Sequence, residues 1–111
     1  METIGMEDFN KVEMRTGTIV RAEPFPEARK PALKLWIDFG ELGILKSSAQ
    51  ITAYYDFDSL PGTQVIGVVN FPVKQVGPFL SECLVLGIPD ESGKVVLLQP
   101  ERAVKNGLKI S

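Results

Sequence analysis

The stretch that decides the fold is residues 32–48, which read ALKLWIDFGELGILKSS. Alternate positions between residues 32 and 39 form an apolar set: Leu33, Leu35, Ile37 and Phe39. The positions between them form an outward set: Lys34, Trp36 and Asp38. This period of two predicts a half-buried strand over 32–39. A turn at 40–43 and a partner strand at 44–48 complete a predicted hairpin with one buried face and one decorated face.

Further short strands are predicted on both sides of this hairpin, at residues 12–22, 63–70, 82–88 and 94–98. A helical turn at 8–12, with Asp8 as its N-cap, precedes them, and a short helix is predicted at 49–55. Three strands, a helix and two strands is the element order of the OB-fold, a five-stranded Greek-key barrel. We therefore predict an all-β OB-fold domain at 8–111 with extra C-terminal strands, and an N-terminal leader at 1–7.

Glycines and prolines set the details of this predicted barrel. Alternation in the first strand puts Ile19 and Arg21 on the same face as Gly17, and Gly17 suits a bulge or sharp bend. Two long loops, at residues 23–31 and 71–81, follow the first and fourth strands and are broken by proline and glycine. An OB-fold binds its ligands through these two loops and through the outer face of strands two and three.

Composition argues against catalysis. The 111 residues include no histidine and a single cysteine, so neither a Ser-His-Asp or Cys-His centre nor a His/Cys zinc site can be built. The carboxylates lack calcium-loop spacing. Cys83 stands among leucines and valine and is predicted to be a buried, unreactive thiol in a reducing compartment. We predict a non-enzymatic protein with no cofactor and no metal.

The chain carries no apolar run of the roughly 20 residues that cross a bilayer, and its first eight residues are acidic instead of basic. These features predict a cytoplasmic protein without membrane insertion. The formal net charge is −2, but the acidic excess is concentrated in the first fourteen residues. The rest of the chain is slightly basic, so a local basic face for RNA is possible.

The first loop and the second strand combine cations with an aromatic ring. Arg29 and Lys30 lie in the loop, and Lys34 and Trp36 lie on the outward face of the strand. Single-stranded RNA needs cations for its phosphates and rings for its bases. The two loop cations are equally consistent with plain solvated charges. Trp36 has three equal interpretations: it stacks on a ligand, packs under the loop, or lies in a dimer interface.

The second loop and the end of the third strand supply further candidates. The loop contains Asn70, Phe71, Lys74, Phe79 and Ser81. The two phenylalanines are expected to plug the barrel end or to bind ligand, while the lysine is expected to point toward a partner. Three polar residues end the third strand: Ser47, Ser48 and Gln50. They either cap the predicted helix or donate hydrogen bonds to a phosphate or a peptide backbone.

Four blocks of sequence resemble the tRNA-binding OB domain superfamily: residues 8–35, 37–52, 65–87 and 104–110. This superfamily includes the tRNA-binding domain appended to methionyl-tRNA synthetases. The chain is most similar to its CsaA branch, described as secretion chaperones. Two positions favour that branch: Phe25-Pro26-Glu27 replaces a loop histidine, and Cys83 replaces a glycine that often follows the Ser-Glu pair.

The resemblance implies a homodimer joined through the N-terminal turn and the C-terminal strands, without catalytic activity. It implies tRNA contacts at matching motif positions, to which Lys30 of the first loop is added: Arg15, Lys30, Lys34, Ser48, Asn70, Lys74 and Ser81. Glu82 also matches, but as a structural acceptor. The CsaA branch further implies binding of unfolded or precursor polypeptides, for which the candidates are Trp36, Phe71 and Phe79.

The sequence is consistent with three functions. An RNA-binding module would show steep salt dependence, because each neutralised phosphate releases counterions. A peptide-binding chaperone with no physiological RNA ligand would show weak salt dependence and affinity for unfolded chains. A purely structural dimer domain would leave the two decorated loops without a role.

Overall fold

The computed structural model describes residues 1–111. One short helix, α1 (Met6–Asn10), precedes the strands, and a single 3-10 turn (Gly40–Leu42) joins the second strand to the third. The strands are β1 (Met14–Pro24), β2 (Leu33–Asp38), β3 (Ile44–Ala49), β4 (Gln64–Val68), β5 (Lys74–Val76), β6 (Phe79–Ser81), β7 (Leu84–Val85), β8 (Gly87–Pro89) and β9 (Val95–Leu97).

Five strands form one antiparallel sheet in the order β3-β2-β1-β4-β7, and this sheet curls into a nearly closed barrel. Its two edges meet at Lys46, whose carbonyl accepts hydrogen bonds from the backbone N–H of Glu82 (2.7 Å) and of Cys83 (3.3 Å). The buried Ser47 hydroxyl donates to the Cys83 carbonyl at 2.9 Å. Joining the edges in this way leaves the sheet with little exposed edge. The predicted all-β, OB-type barrel is confirmed.

The centre of the barrel is the fully buried ring of Phe39. Two glycines on neighbouring strands face this ring: a Cβ at Gly17 would lie 2.8 Å from it, and a Cβ at Gly67 would also lie 2.8 Å from it. The predicted inward set is confirmed, since Leu33, Leu35, Ile37 and Phe39 are all buried. Of the bulge or sharp bend predicted at Gly17, the bulge is wrong: Gly17 pairs regularly with Val65, and its lack of a side chain leaves room for Ile37 and the Phe39 ring.

The bulge in β1 lies three residues later, at Val20. Ile19 pairs with Ile37, but Arg21 pairs with Trp36 instead of Leu35, so Val20 is an extra residue in the strand. A bulge of this kind bends the strand and re-aims the side chains beyond it. Arg21 therefore leaves the inward face of Ile19 and joins the outward face of β2.

The short helix predicted at 49–55 is wrong. β3 runs on to Ala49, and the chain then makes turns at residues 52–54 and 57–59. Ile51 and Leu60 are buried in the core, and the Tyr55 hydroxyl accepts a hydrogen bond from the Leu97 N–H at 3.0 Å. These contacts keep the segment in an irregular conformation. Its β-branched and aromatic residues have low helix propensity, so they do not favour a helix there.

The loop predicted at 71–81 is more ordered than expected. It contains the β5–β6 hairpin, which reverses at Gly77, where φ is +56°. The strand predicted at 82–88 is interrupted, and its ends form β7 and β8. The Asn106-Gly107 turn is confirmed. After it the tail runs beside β1, with the Ile110 N–H donating to the Met14 carbonyl at 2.9 Å.

We predict that Gly67→Ala lowers the free energy of unfolding by about 1–3 kcal/mol, because the added methyl group must displace a fully buried ring. Chemical denaturation monitored by circular dichroism measures the change. Gly5→Ala is the control, since a Cβ at Gly5 would meet no atom within 4 Å. Equal stability of the two variants would show that Phe39 can move away at little cost.

Candidate nucleic-acid and peptide interface

The outward face of β1, β2 and β3 carries two rows of side chains that strand register places side by side. The first row is Arg21, Trp36 and Lys46, and the second is Glu23, Lys34 and Ser48. We call these six residues the outer face. Three of the six are cations and one is an acid, so the outer face is basic although the chain as a whole is acidic.

Two phenylalanines from the loops cover part of the outer face. Phe79 of β6 meets Phe25 of the first loop edge-on, with ring centroids 5.5 Å apart, and meets Trp36 edge-on at 5.8 Å. Phe25 and Phe79 are buried, whereas Trp36 is half-buried. They form a second small core outside the barrel, so Phe79 covers strand β2 instead of plugging the barrel end. Edge-to-face geometry is the favoured arrangement for such rings.

Cations surround this aromatic cluster. The Arg21 guanidinium lies 4.5 Å from the Trp36 ring centroid, and Lys46 Nζ lies 5.1 Å from that of Phe79. Lys34 Nζ lies 5.5 Å from the Phe25 centroid and 3.9 Å from a Glu23 carboxylate oxygen. Cations over ring faces interact favourably with the ring quadrupole. The outer face thus combines positive charge with rings, and Lys34 and Trp36 lie on its outward side as the alternation predicted.

A groove of about 1210 Å³ adjoins the outer face. Five of the ten predicted tRNA and peptide contacts line it: Lys30, Ser48, Phe71, Lys74 and Ser81. The further candidates Arg29 and Gln50 line it as well. Ser48 belongs to both surfaces, and the side chains of Ala28, Ala32 and Val76 pack against the aromatic cluster while lining the groove. The outer face and the groove are therefore one continuous surface.

Arg15 and Asn70 lie elsewhere, where the N-terminal segment meets the C-terminal tail. Arg15 pairs with Glu13 at 2.7 Å and donates to the Gly107 carbonyl at 3.0 Å. The Asn70 amide accepts from the Glu13 N–H at 3.0 Å and donates to the Lys11 carbonyl at 2.7 Å. Hydrogen bonds from Lys109 and, second, from Arg15 lower the pKa of the Glu13 carboxyl. These contacts fasten both chain ends to the barrel.

No helix follows β3 for its polar residues to cap, and the backbone at the end of β3 instead bonds to side chains at the end of the second loop. The backbone N–H of Ser48 donates to the Ser81 hydroxyl at 3.0 Å. The Glu82 carboxylate accepts from the Lys46 N–H at 2.9 Å, which confirms its predicted role as a structural acceptor. These bonds hold the β6 end of the second loop against β3, so they fix the wall of the groove.

Cys83 is buried beside the groove, as predicted. Burial is the main cause that raises the pKa of its thiol to about 12, so the thiol stays protonated at neutral pH. A protonated thiol is a poor nucleophile and a poor metal ligand. The structure contains no cluster of three or more His, Cys, Asp or Glu residues able to hold a metal ion. It contains no helix of the length and apolarity needed to cross a bilayer.

Three cationic or aromatic residues of this surface were not predicted as ligand contacts from the sequence: Arg21, Phe25 and Lys46. Alternation in the third strand does put Lys46 on the same side as Ser48, so that signal was available. Phe25 lies between prolines, where no periodicity applies. Arg21 could not be found by alternation, because only the bulge at Val20 brings it to the outer face.

Comparisons with known proteins identify the family. The profile of the tRNA binding domain matches residues 14–109, which is most of the chain. The chain belongs to the tRNA-binding domain family. Methionine–tRNA ligase of Methanocaldococcus jannaschii is 34% identical to it over 110 residues, which cover 99% of this chain. The chain spans only 17% of that ligase, so the similarity concerns one domain of the larger enzyme.

Two solved structures are similar to this chain over almost their whole length. Chaperone CsaA of Bacillus anthracis str. Ames is 54% identical, with a TM-score of 0.93 over 99% of this chain and 100% of that one. The CsaA chaperone protein of Picrophilus torridus is 46% identical, with a TM-score of 0.91 over 98% and 100%. The resemblance to the CsaA branch is confirmed.

Proposed function

We propose that this protein is a non-enzymatic, cytoplasmic, homodimeric tRNA-binding protein of the CsaA type that also holds unfolded precursor polypeptides as a secretion-related chaperone. The observation that carries the proposal is the continuity of the basic, aromatic outer face with the groove. Membership of the tRNA-binding domain family supports tRNA as one ligand. The similarity to CsaA chaperones supports the second ligand and the chaperone role.

Binding of tRNA is assigned to the cations of this surface. Lys34 lies on the outer face, and Lys30 and Lys74 lie at the groove, where both side chains are exposed. Ser48 and Ser81 add hydroxyl groups between them. Phosphate contacts of this kind position a nucleic acid without reading its sequence. Arg15 and Asn70 remain predicted contacts, but their bonds to Glu13 and Lys11 favour a structural role.

We predict that Lys34→Ala combined with Lys74→Ala weakens tRNA binding and flattens its salt dependence by about two units of log-log slope, because each lost phosphate contact removes about one. Titration with bulk tRNA between about 50 and 200 mM salt measures both quantities. Arg102→Ala is the matched control: it removes an exposed cation that lies outside the groove and the outer face and pairs with Glu101. An unchanged slope in the double variant would exclude this surface.

Binding of unfolded polypeptide is assigned to the apolar side of the groove. Phe71 and Leu84 line it, with 55% and 48% of their surface exposed. Val73 and Leu80 are similarly exposed on and beside the β5–β6 hairpin. Exposed apolar side chains concentrated at one site mark a binding surface more than scattered ones do. Of the three predicted peptide contacts, Phe71 is the one with a free ring, since Phe79 is buried and Trp36 is half-covered.

We predict that Phe71→Ser lowers the affinity for a reduced, unfolded precursor chain by about tenfold, in line with loss of a buried phenylalanine contact. This binding should change little between low and high salt. Fluorescence anisotropy of a labelled precursor gives the affinity, and Phe57→Ser, at another exposed phenylalanine outside the groove, is the control. An equal loss of affinity in both variants would indicate nonspecific hydrophobic binding instead of a defined site.

The homodimer is assigned to the region where the two chain ends meet. Ile4, Met6, Val12 and Leu108 are exposed apolar residues of the N-terminal segment and the C-terminal tail. The two segments are adjacent, because Lys109 pairs with Glu13 at 2.8 Å and reaches the Asn10 carbonyl at 3.5 Å. Apolar residues exposed in one monomer become favourable when a second copy covers them.

We predict a mass in solution of twice the 12.2 kDa of one chain. Met6→Glu should shift the protein toward the monomer, because a carboxylate would be buried without a partner at the interface. Sedimentation equilibrium measures the mass, and Leu80→Glu, at an exposed apolar position of the β5–β6 hairpin, is the control. A monomeric wild-type protein would remove the dimer from the proposal.

A further inference from the structure

The outer face contains a feature that tRNA binding by shape does not require: an arginine laid over the only tryptophan of the chain. This contact depends on the bulge at Val20. In a regular register Arg21 would pair with Leu35 and would point into the barrel. The extra residue moves it opposite Trp36, on the outward side. Bulges tend to occur where a strand must re-aim a functional side chain.

The arginine is held there loosely. Its side chain is 62% exposed, and its one acidic partner is Glu23, two residues along the same strand. Exposed ion pairs contribute little to stability, and an exposed cation–π contact contributes modestly, so an incoming nucleobase can displace Arg21 from the ring at small cost. Trp36, in contrast, is fixed by the edge-on contact with the buried Phe79 ring and by its neighbours in the sheet. The face of a rigid ring is thus covered by a movable cation.

We infer that this pair is a stacking site for one unpaired nucleobase of an RNA ligand, with Arg21 as a cap that the base displaces. A base would stack on the Trp36 face that the guanidinium now covers. Lys46, the third member of the row, and the displaced Arg21 would then meet the adjacent phosphates. Unpaired bases in RNA are commonly bound in this way, by a ring and nearby cations.

The charge around Trp36 favours RNA over polypeptide at this position. Arg21, Lys34 and Lys46 surround the rings, and Glu23 is the only acid among the six residues of the outer face. An apolar peptide segment would gain nothing from three cations and would have to displace their water. A nucleotide supplies both a ring and a negative charge. The inference rests on the proposed tRNA binding, and it adds a contact to an unpaired base.

The test uses the full-length protein and a single-stranded adenosine hexamer. Because Trp36 is the only tryptophan, its fluorescence reports this site alone. The hexamer should quench the emission in a saturable way. Trp36→Leu should weaken hexamer binding, measured by anisotropy, by roughly tenfold to a hundredfold, the range expected for one lost base stack. Trp36→Tyr, which keeps a ring, should restore most of the affinity.

The outcomes separate this inference from the proposed function. If tRNA binds the wild-type protein but neither RNA changes the Trp36 emission and Trp36→Leu binds normally, the stacking site is wrong while tRNA binding stands. If an unfolded polypeptide changes the emission and the hexamer does not, the site belongs to peptide and the inference is overturned. If tRNA fails to bind at low salt but the hexamer still quenches Trp36, the proposed tRNA ligand is wrong and the stacking site stands. The wild-type quenching experiment decides the matter even if Trp36→Leu fails to fold.

Discussion

The rest of the structure depends on the burial of the Phe39 ring against bare backbone. The ring lies where β1 and β4 pair, and it reaches that depth only because Gly17 and Gly67 have no side chains. The close approach fixes the β2–β3 hairpin relative to β1, since Phe39 directly follows β2. With that register set, alternation assigns Lys34 and Trp36 to the outside. A packing constraint in the core thereby positions the outer face, which is the candidate ligand-binding face.

Much of the fold could be predicted because period-two patterns in short strands are governed by which face is buried. The inward set around Leu35 and Ile37 followed directly. The segment after β3 could not be predicted, because its conformation depends on the distant anchors of Ile51, Leu60 and Tyr55 in the core. The bulge at Val20 could not be predicted either. It leaves the composition of the strand unchanged and appears only in the pairing with β2.

The sequence predicted many residues of the candidate site but not their positions relative to one another. The two loops that OB-folds use do converge, so Lys30 and Lys74 line one groove although they are far apart in sequence. Arg15 and Asn70 matched motif positions, but their hydrogen bonds hold the chain ends. A motif match cannot distinguish a residue that touches ligand from one that supports the fold. The difference depends on which partners are within reach, and these are set by the tertiary structure.

In the proposed function, one surface serves two ligands whose binding depends on different physical interactions. The proposed RNA binding would gain free energy from counterion release at Lys30, Lys34 and Lys74, and this gain would fall as salt rises. The proposed contact between an unfolded chain and Phe71 or Leu84 would gain free energy by removing apolar area from water, an effect that salt screens little. Since the outer face and the groove share Ser48, we expect tRNA and polypeptide to compete for this surface. Ionic strength should therefore shift the same protein from one ligand to the other without any change in its conformation.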